Sequence, residues 1–439
     1  VATSALEFLP SVTTTILAGH MDSPLKKEYV DAVTMSTMLA NISAFSIGFG
    51  LSSALDTLCS QAYGAKRFDK IGVYFQSGLL VVGACLAPVV VLNWYAEPLL
   101  LLLGQDPAVA RLAQDFSRYS MPGWPFVFLY ELVRKVLQAQ NITKPLVVIA
   151  AVGNLVTLVA GYVLAYHTPL GFRGIALARA LGNAALPLLL VPYFQRRPLA
   201  LAQWWGAGWD MRAALAHVGL FLRLGVPGLL QLVMEWWAFE IISLLAGVLP
   251  DRLVALSAHA VLLNVTSLLY MAFLGVAVAA NIRVGNCLGA NAPKAAQLNA
   301  RLALWLAAGV ALAVGLALAA LRTPVAALFI SDPASVDTAA AVLLLWAPME
   351  VFDALNCVIQ GVFRGAGKQD AAAATNAVAY YGAGVPLAAL LAFRFDLGIQ
   401  GLWIGFGAGV VISVGALLAL YTRWRWGELA EDAQERTAQ

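Results

Sequence analysis

Four acidic residues lie inside long apolar stretches in the C-terminal half of the chain. Glu235 and Glu240 occur in the segment LVMEWWAFEIISLL, and Glu350 and Asp353 occur in the segment APMEVFDALN. An ionisable side chain at the centre of a membrane helix costs about 2.5–3.5 kcal/mol on insertion scales, so such residues normally face the interior of a helix bundle. Two acids in each of two segments indicate a site that binds protons and a cationic substrate.

The spacing of the acids decides which of them share a helix face. Glu350 and Asp353 are three residues apart and lie on one face, where two carboxylates repel and one can keep its proton into the neutral range. Glu235 and Glu240 are separated by about 140° around a helix, so only one of them need face a pore. For Glu235 the alternative is a carboxyl group that hydrogen-bonds to a neighbouring helix for packing alone.

Aromatic residues stand beside the acids or on helices that we expect to line the same cavity. A carboxylate next to aromatic faces suits an organic cation, through Coulomb attraction and cation–π contact. The alternative is that these rings serve packing and interface anchoring, which are common in membrane helices. The candidates for the substrate cavity are Trp236, Trp237, Tyr270 and Tyr381, with Phe239, Trp346, Phe352 and Tyr380 nearby.

Two acids of the N-terminal half receive a different interpretation. Glu131 lies close in sequence to Arg134 and Lys135, and this spacing predicts a structural ion pair. Asp56 lies near the predicted cytoplasmic end of a helix, and we interpret it as a carboxylate that anchors a helix end or a loop.

The composition requires a membrane around the elements that carry these residues. Hydrophobic residues make up 61% of the 439-residue chain and charged residues 12%, whereas about a quarter of the residues of a soluble domain are charged. The chain begins without Met inside an apolar stretch, and we expect that further residues precede it. The net charge of +3 gives no indication of nucleic-acid binding.

Enzymatic chemistry finds no support in the sequence. No phosphate-binding loop, HExxH motif, GxSxG elbow or dinucleotide fingerprint occurs, so we expect neither an enzyme nor an ATP-driven pump. We expect no cofactor and no metal site, since four scattered cysteines lack metal-ligand or redox spacing: Cys59, Cys85, Cys287 and Cys357.

Apolar segments of the length that crosses a bilayer predict an all-α integral membrane protein. Barrel strands are excluded, because the segments are too long and lack alternation. Lys and Arg concentrate in alternate loops and in the C-terminal tail, which predicts that both termini are cytoplasmic. We identify twelve segments, at approximately 3–20, 31–57, 71–94, 119–140, 145–166, 173–194, 219–249, 253–281, 301–321, 338–363, 371–394 and 401–423.

The two halves of the chain resemble each other at a nearly constant offset. Parallel repeats of this kind are typical of transporters, and they predict two six-helix bundles related by pseudo-two-fold symmetry. We expect an N-terminal lobe at 1–195, a cytoplasmic connector at 196–217, a C-terminal lobe at 218–426 and a cytoplasmic tail at 427–439. The matching positions are Gly64 and Gly289, Asp106 and Asp332, Pro122 and Pro348, and Gly171 and Gly398.

At these residues the sequence resembles the multidrug and toxic compound extrusion (MATE) family, in its eukaryotic branch. The resemblance runs nearly end to end and implies alternating access and cation-coupled export. It assigns proton coupling and substrate binding to acids of the C-terminal lobe, which match Glu235, Glu240 and Asp353. The motifs are AGHM (18–21), LDTLCSQAYGAK (55–66), MEWWAFEIISLLAGVLP (234–250), RVGNCLGAN (283–291), VFRGAGKQ (362–369) and LGIQGLW (397–403).

The sequence departs from the family pattern at two positions. Bacterial relatives often carry Asp in the first helix, where this chain has Thr14. This difference puts an ion site in the N-terminal lobe in doubt and favours coupling in the C-terminal lobe. Asn291 stands where the family often has Gly, in a predicted cytoplasmic loop.

The sequence therefore predicts a secondary exporter that exchanges protons for organic cations, xenobiotics or secondary metabolites, in the plasma or vacuolar membrane. One chain contains both lobes, so we expect a functional monomer. A sodium-coupled exporter remains an alternative, as does a flippase for a lipid-linked precursor, although the buried charges are mainly acidic and a flippase calls for a basic cavity.

Overall fold

The computed structural model describes residues 2–206, 208–250 and 252–438. Within these ranges the secondary structure is entirely helical, and no strand occurs. The predicted all-α class is therefore confirmed. The chain forms two compact units, Ala2–Leu229 and Leu230–Gln439, and the boundary lies inside one long helix.

The first unit contains twelve complete helices and the start of a thirteenth. They are α1 Ala2–Gly19, α2 Lys26–Ala40, α3 Ser46–Ser52, α4 Ala54–Gly64, α5 Phe68–Trp94, α6 Ala96–Leu102, α7 Pro107–Ser120, α8 Trp124–Ala139, α9 Lys144–Tyr166, α10 Phe172–Arg196, α11 Pro198–Trp205, α12 Met211–Ala216 and α13 Val218–Ala246.

The second unit contains the rest of α13 and eight further helices. They are α14 Arg252–Gly289, α15 Pro293–Phe329, α16 Pro333–Trp346, α17 Met349–Ala366, α18 Gln369–Asn376, α19 Val385–Ala389, α20 Gly398–Thr422 and α21 Trp426–Ala438.

Most predicted membrane segments coincide with helices of sufficient length and hydropathy. Nine helical spans in the described residues are long and apolar enough to cross a bilayer, and the pair α16 and α17, bent by 58°, forms a tenth. The two remaining predicted segments are also helical. One is α1, and the other includes α8, which is 16 residues long and carries Glu131, Arg134 and Lys135.

Large apolar side chains cover the outside of both units. Leu102 is 84% exposed and Trp305 is 72% exposed, and many Leu and Val side chains of the long helices lie outward. Such a surface is solvated by lipid and not by water, and the helices satisfy their own backbone hydrogen bonds, as the bilayer core requires. Each unit keeps its own buried core, for example around Tyr74 and Phe221 in the first and around Trp346 and Trp403 in the second.

The positions that match between the two halves have the same local role in each. Asp106 caps α7 by accepting a 2.8 Å hydrogen bond from the Ala108 N–H, and Asp332 caps α16 by accepting a 2.9 Å bond from the Ser335 N–H. Gly171 directly precedes α10 and Gly398 is the first residue of α20, with φ of +53° and +55°, a conformation that favours glycine. The repeat is thus a repeat of caps and turns.

Three segments in the described residues depart from ordinary α-helix geometry, two in the second unit and one in the first. Residues Ala377–Gly384 and Leu390–Arg394 wind as π-helix on either side of α19, and Asn41–Phe45 does so between α2 and α3. π-Helical turns are rare and frequently lie at functional sites. The segment Ala377–Gly384 carries Tyr380 and Tyr381.

The predicted tail folds onto the second unit as α21. Its buried face contains Leu429, Ala430 and Ala433. Gln434 donates a 2.6 Å hydrogen bond from Nε2 to the Gly289 carbonyl oxygen at the end of α14. Because the last carbonyl groups of a helix have no partner inside it, this bond completes the end of α14.

Candidate functional site

Three of the four predicted acids are buried in the second unit. Glu235 on α13 and Asp353 on α17 are each 6% exposed, and Glu350 on α17 is fully buried. Glu240 is exposed, on a different side of α13 from Glu235. The structure thus brings Glu235, Glu350 and Asp353 inside the unit and leaves Glu240 apart from them, as their spacing around the helix allows.

Glu235 lies at the centre of a charged and polar group. It interacts with Gln360 and lies within electrostatic range of Asp353 and Arg364, all three on α17. The phenol groups of Tyr270 on α14 and Tyr380 lie within range of both Glu235 and Asp353. We call Glu235, Asp353 and Arg364 the charged group.

Glu350 sits in an aromatic wall next to the charged group. Trp346 donates a 3.0 Å hydrogen bond from Nε1 to Glu350 Oε2, while Glu350 Oε1 is buried without a hydrogen-bond partner in the described part of the chain. The Trp346 ring packs edge-on against Trp403 at 5.0 Å and stacks on Phe406 at 6.1 Å. Glu350 and Asp353 interact electrostatically, as their shared helix face predicts.

A run of buried amide and hydroxyl side chains extends from the charged group toward α20. Gln360 Oε1 accepts two hydrogen bonds, at 2.7 Å from Gln231 Nε2 and at 3.2 Å from Asn376 Nδ2. Ser413 Oγ lies 2.9 Å from Asn376 Oδ1 and 3.0 Å from Asn356 Oδ1. We call these five residues the amide chain.

The amide chain is a part of the site that was not predicted from the sequence. Polar side chains inside otherwise apolar segments are the signal that was available for Gln231, Asn356, Gln360, Asn376 and Ser413. Their pairing could not be read from spacing, because the bonded residues come from different helices. The amide chain ends at Asn356, whose Nδ2 donates a 2.9 Å hydrogen bond to the Tyr380 hydroxyl oxygen.

The four predicted cavity aromatics are placed differently from one another. Tyr270 is half-buried and lies within range of Glu235. Tyr381 is half-buried and donates a 3.0 Å hydrogen bond to the Met234 carbonyl oxygen on α13. Trp236 is half-buried, whereas Trp237 is 46% exposed and points away from the core of the unit.

The first unit holds a buried network of alternating charges. Lys135 Nζ lies 2.9 Å from Asp56 Oδ2 and 3.7 Å from Glu131 Oε1. Arg134 Nη2 donates a 2.7 Å hydrogen bond to Glu131 Oε1, so Glu131 forms the ion pair that its spacing predicts. Asp56, in the first turn of α4, is joined by this network to α8.

Thr14 and Asn291, the two departures from the family pattern, lie outside these groups. Thr14 is buried and donates a 3.0 Å hydrogen bond to the Ser11 carbonyl oxygen of its own helix. Asn291 has φ of +54°, and asparagine adopts this left-handed conformation more readily than most residues. In the described residues no three His, Cys, Asp or Glu side chains are grouped as a metal site would need.

Comparison with known proteins decides the family. The family model MatE matches residues 1–163 and again residues 227–390, once in each half of the chain. The chain belongs to the MatE family. It is similar to multidrug and toxin extrusion protein 2 of Mus musculus, with 37% identity over 429 residues, 98% of this chain and 73% of the relative. Multidrug and toxin extrusion protein 1 of Homo sapiens is 36% identical over 427 residues, 97% of this chain and 73% of the relative.

Solved structures of MATE transporters share the fold. The crystal structure of the eukaryotic MATE transporter AtDTX14 gives a TM-score of 0.91 at 30% identity and covers 99% of this chain and 96% of that chain. The bent form of the Vibrio cholerae MATE transporter VcmN gives a TM-score of 0.84 at 18% identity, over 99% and 95% of the two chains, and it supports the fold alone. The chain is a multi-pass membrane transporter of the MATE fold, and not an enzyme.

Proposed function

We propose that this MATE transporter exports organic cations in exchange for protons and that Glu235 and Asp353 carry the coupling. The observation on which the proposal rests is the burial of both carboxyl groups beside each other in the second unit. Two carboxyl groups in a poorly solvated place cannot both remain ionised without a cation nearby. Arg364 supplies one positive charge, and the second cation is a proton or the substrate.

Competition for the same charge gives the exchange. With Glu235 ionised, a cationic substrate binds by Coulomb attraction, and aromatic rings such as Tyr270 add cation–π contact. A proton arriving from the outside neutralises the carboxylate and releases the substrate. Loss of that proton to the cytoplasm restores the starting state. Exchange requires that the inward- and outward-open states differ in affinity for both ligands.

The two other predicted acids receive supporting roles in the proposal. Glu350 holds the aromatic wall through its bond from Trp346 and repels a second negative charge on Asp353. Glu240 is exposed and separate from the charged group. We assign it to the attraction of cationic substrates, and Trp237 beside it to contact with their apolar parts.

The decisive experiment uses sealed vesicles that contain the purified chain. A pH gradient drives uptake of a fluorescent organic cation, and sodium is replaced by potassium to separate proton from sodium coupling. Glu235→Gln should abolish uptake driven by the gradient. Asp337→Asn, a change of an exposed acid on α16, is the matched control and should transport normally. Normal, pH-dependent uptake by Glu235→Gln would falsify the assignment of Glu235. Uptake that requires sodium would show that sodium, and not the proton, is the coupling ion.

Orientation, oligomeric state and membrane location complete the proposal. We propose that both termini face the cytoplasm, that the chain works as a monomer, and that it lies in the plasma or vacuolar membrane. Excess Lys and Arg in alternate loops support the orientation. Accessibility of single cysteines placed in α21 to a membrane-impermeant reagent tests it.

A further inference from the structure

The Ser413 hydroxyl group faces two acceptors in the amide chain but has only one hydrogen to donate. Ser413 Oγ is close enough to donate to Asn376 Oδ1 or to Asn356 Oδ1. A hydroxyl group has a single hydrogen, so only one of the two bonds exists at a time. Ser413 is therefore the residue at which the donor and acceptor roles along the amide chain can be exchanged.

The other end of the amide chain meets Glu235. Gln360 Oε1 is occupied by the N–H groups of Gln231 and Asn376, so the Gln360 amide nitrogen is left for other partners. That nitrogen is buried and forms no hydrogen bond within the described residues, and Gln360 lies beside Glu235, close enough to act on its carboxyl group. In this arrangement Gln360 offers Glu235 only hydrogen-bond donors, which an ionised carboxylate accepts.

A second arrangement satisfies the same atoms without movement of the helices. If Gln231, Gln360 and Asn376 each turn their amides over, Gln360 Nε2 donates to the oxygens of Gln231 and Asn376. Asn376 Nδ2 then donates to Ser413 Oγ, and Ser413 donates to Asn356 Oδ1. Gln360 now offers Glu235 its oxygen, which only a protonated carboxyl group can use as a donor. Gln231 Oε1, which has no hydrogen-bond partner in the described residues, gains one.

We propose that Gln231, Gln360, Asn376 and Ser413 form a two-state hydrogen-bond switch, whose amides turn over together when Glu235 gains or loses a proton. Gln360 and Ser413 are positioning residues, since they act on the substrate through Glu235. The inference rests on the proposed proton coupling at Glu235. It adds the route by which the charge of that group reaches α20 and the π-helical segment that follows Asn376.

Other groups act on Glu235 and are the same in both arrangements. They are Asp353, Cys357 and Arg364 on α17, Tyr270 on α14 and Tyr380 in the π-helical segment. The fixed end of the chain is Asn356, whose amide is oriented by its bond to Tyr380. A substitution in the amide chain therefore tests the switch, because it leaves these neighbouring groups in place.

The proposal predicts opposite shifts for two neutral substitutions in the vesicle assay. Gln360→Met removes the donor that stabilises ionised Glu235, so the pH of half-maximal transport moves to higher pH by about one unit. Ser413→Ala removes two hydrogen bonds from the second arrangement and one from the first, so the midpoint moves to lower pH. In the double variant Ser413→Ala should add nothing, since its effect passes through Gln360. Thr266→Val, which removes a buried hydroxyl bonded within α14, is the matched control.

A spectroscopic measurement keeps the proposal testable if Gln360→Met does not fold. Infrared difference spectra of the wild-type chain between acidic and alkaline pH should show a side-chain amide band that titrates together with a carboxyl band. Both bands disappear in Glu235→Gln, and the amide band changes in Ser413→Ala. A midpoint shift by Ser413→Ala that is unchanged in the double variant overturns the switch, as does an amide band that ignores pH. Normal pH-dependent transport by Glu235→Gln instead overturns the proposed function itself.

Discussion

Gln231 lies one helical turn before Glu235 on α13 and donates a 2.7 Å hydrogen bond to Gln360 Oε1 on α17. This bond joins α13 to the Gln360 amide, which lies beside Glu235, so the hydrogen bonding between the two helices and the charge of the acid are linked. The same contact explains why α13 presents Glu235 and not Glu240 to the interior of the unit. Glu235 is four positions from Gln231 and shares its helix face, whereas Glu240 is nine positions from Gln231 and lies about 180° away around the helix.

Replacement of Asp353 by Asn tests the second member of the charged group. The amide keeps the size of the side chain but carries no charge, so Glu235 loses the repulsion that lets the pair share one cation. Uptake of the fluorescent cation should fall by at least about tenfold, equivalent to about 1.4 kcal/mol in the barrier. If the Asp353→Asn variant transports as fast as the Asp337→Asn variant, Asp353 has no role in transport.

Removal of Lys135 should destabilise the first unit. Lys135→Met leaves Asp56 and Glu131 buried with one positive partner fewer, and loss of one partner from a buried ion pair costs about 3–5 kcal/mol. Thermal unfolding in detergent should show a clearly lower midpoint. The double variant Lys135→Met with Asp56→Asn should recover part of the loss. Arg67→Met, which breaks an exposed pair with Asp69, is the control and should change little.

The cap at Asp332 predicts a pH-dependent contribution to stability. Hydrogen bonds from the Ser335 hydroxyl and N–H hold the pKa of Asp332 below its usual range. A lowered pKa in the folded state means that the cap stabilises above the pKa of the unfolded chain and is lost as the pH falls through the folded value. Asp332→Ala should lower the unfolding midpoint at neutral pH and have no effect at strongly acidic pH. An equal loss at both pH values would contradict the cap.

Close helix packing in the first unit depends on Gly123. A Cβ atom at this position would lie 2.7 Å from Ala180 Cα and 2.9 Å from the Ala180 carbonyl oxygen, both backbone atoms of α10. Gly123→Ala should therefore destabilise by about 1–3 kcal/mol, as overpacking does. Gly83→Ala on α5, where a Cβ atom meets nothing within 4 Å, is the control. An unchanged unfolding midpoint for Gly123→Ala would contradict this, because it would mean that the helices can move apart here without loss of stability.

Local and periodic features of this fold were predictable from the sequence. Spacing alone placed Glu350 and Asp353 on one face, and it paired Glu131 with Arg134. The anchors of the repeat were visible because caps and left-handed turns restrict residue type, as at Asp106 and Asp332.

The rest of the site depends on contacts between helices that are distant in sequence. Gln231 and Gln360 are 129 positions apart, and Asp56 and Lys135 are 79 apart. No local pattern decides whether Glu235 or Glu240 faces inward, because both lie in the same apolar segment. The polar residues of the amide chain are visible in the sequence but their partners are not, so the amide chain appeared only once α13, α17, α18 and α20 were packed.

Proton release on substrate binding tests the central claim most directly. Titration calorimetry of the purified chain with a tetraalkylammonium cation, in buffers of different ionisation enthalpy, counts the protons exchanged at each pH. If proton and substrate compete for Glu235, binding should release up to about one proton per cation in wild type and none in Glu235→Gln. Binding without proton release at any pH, or equal release from wild type and Glu235→Gln, would contradict the account.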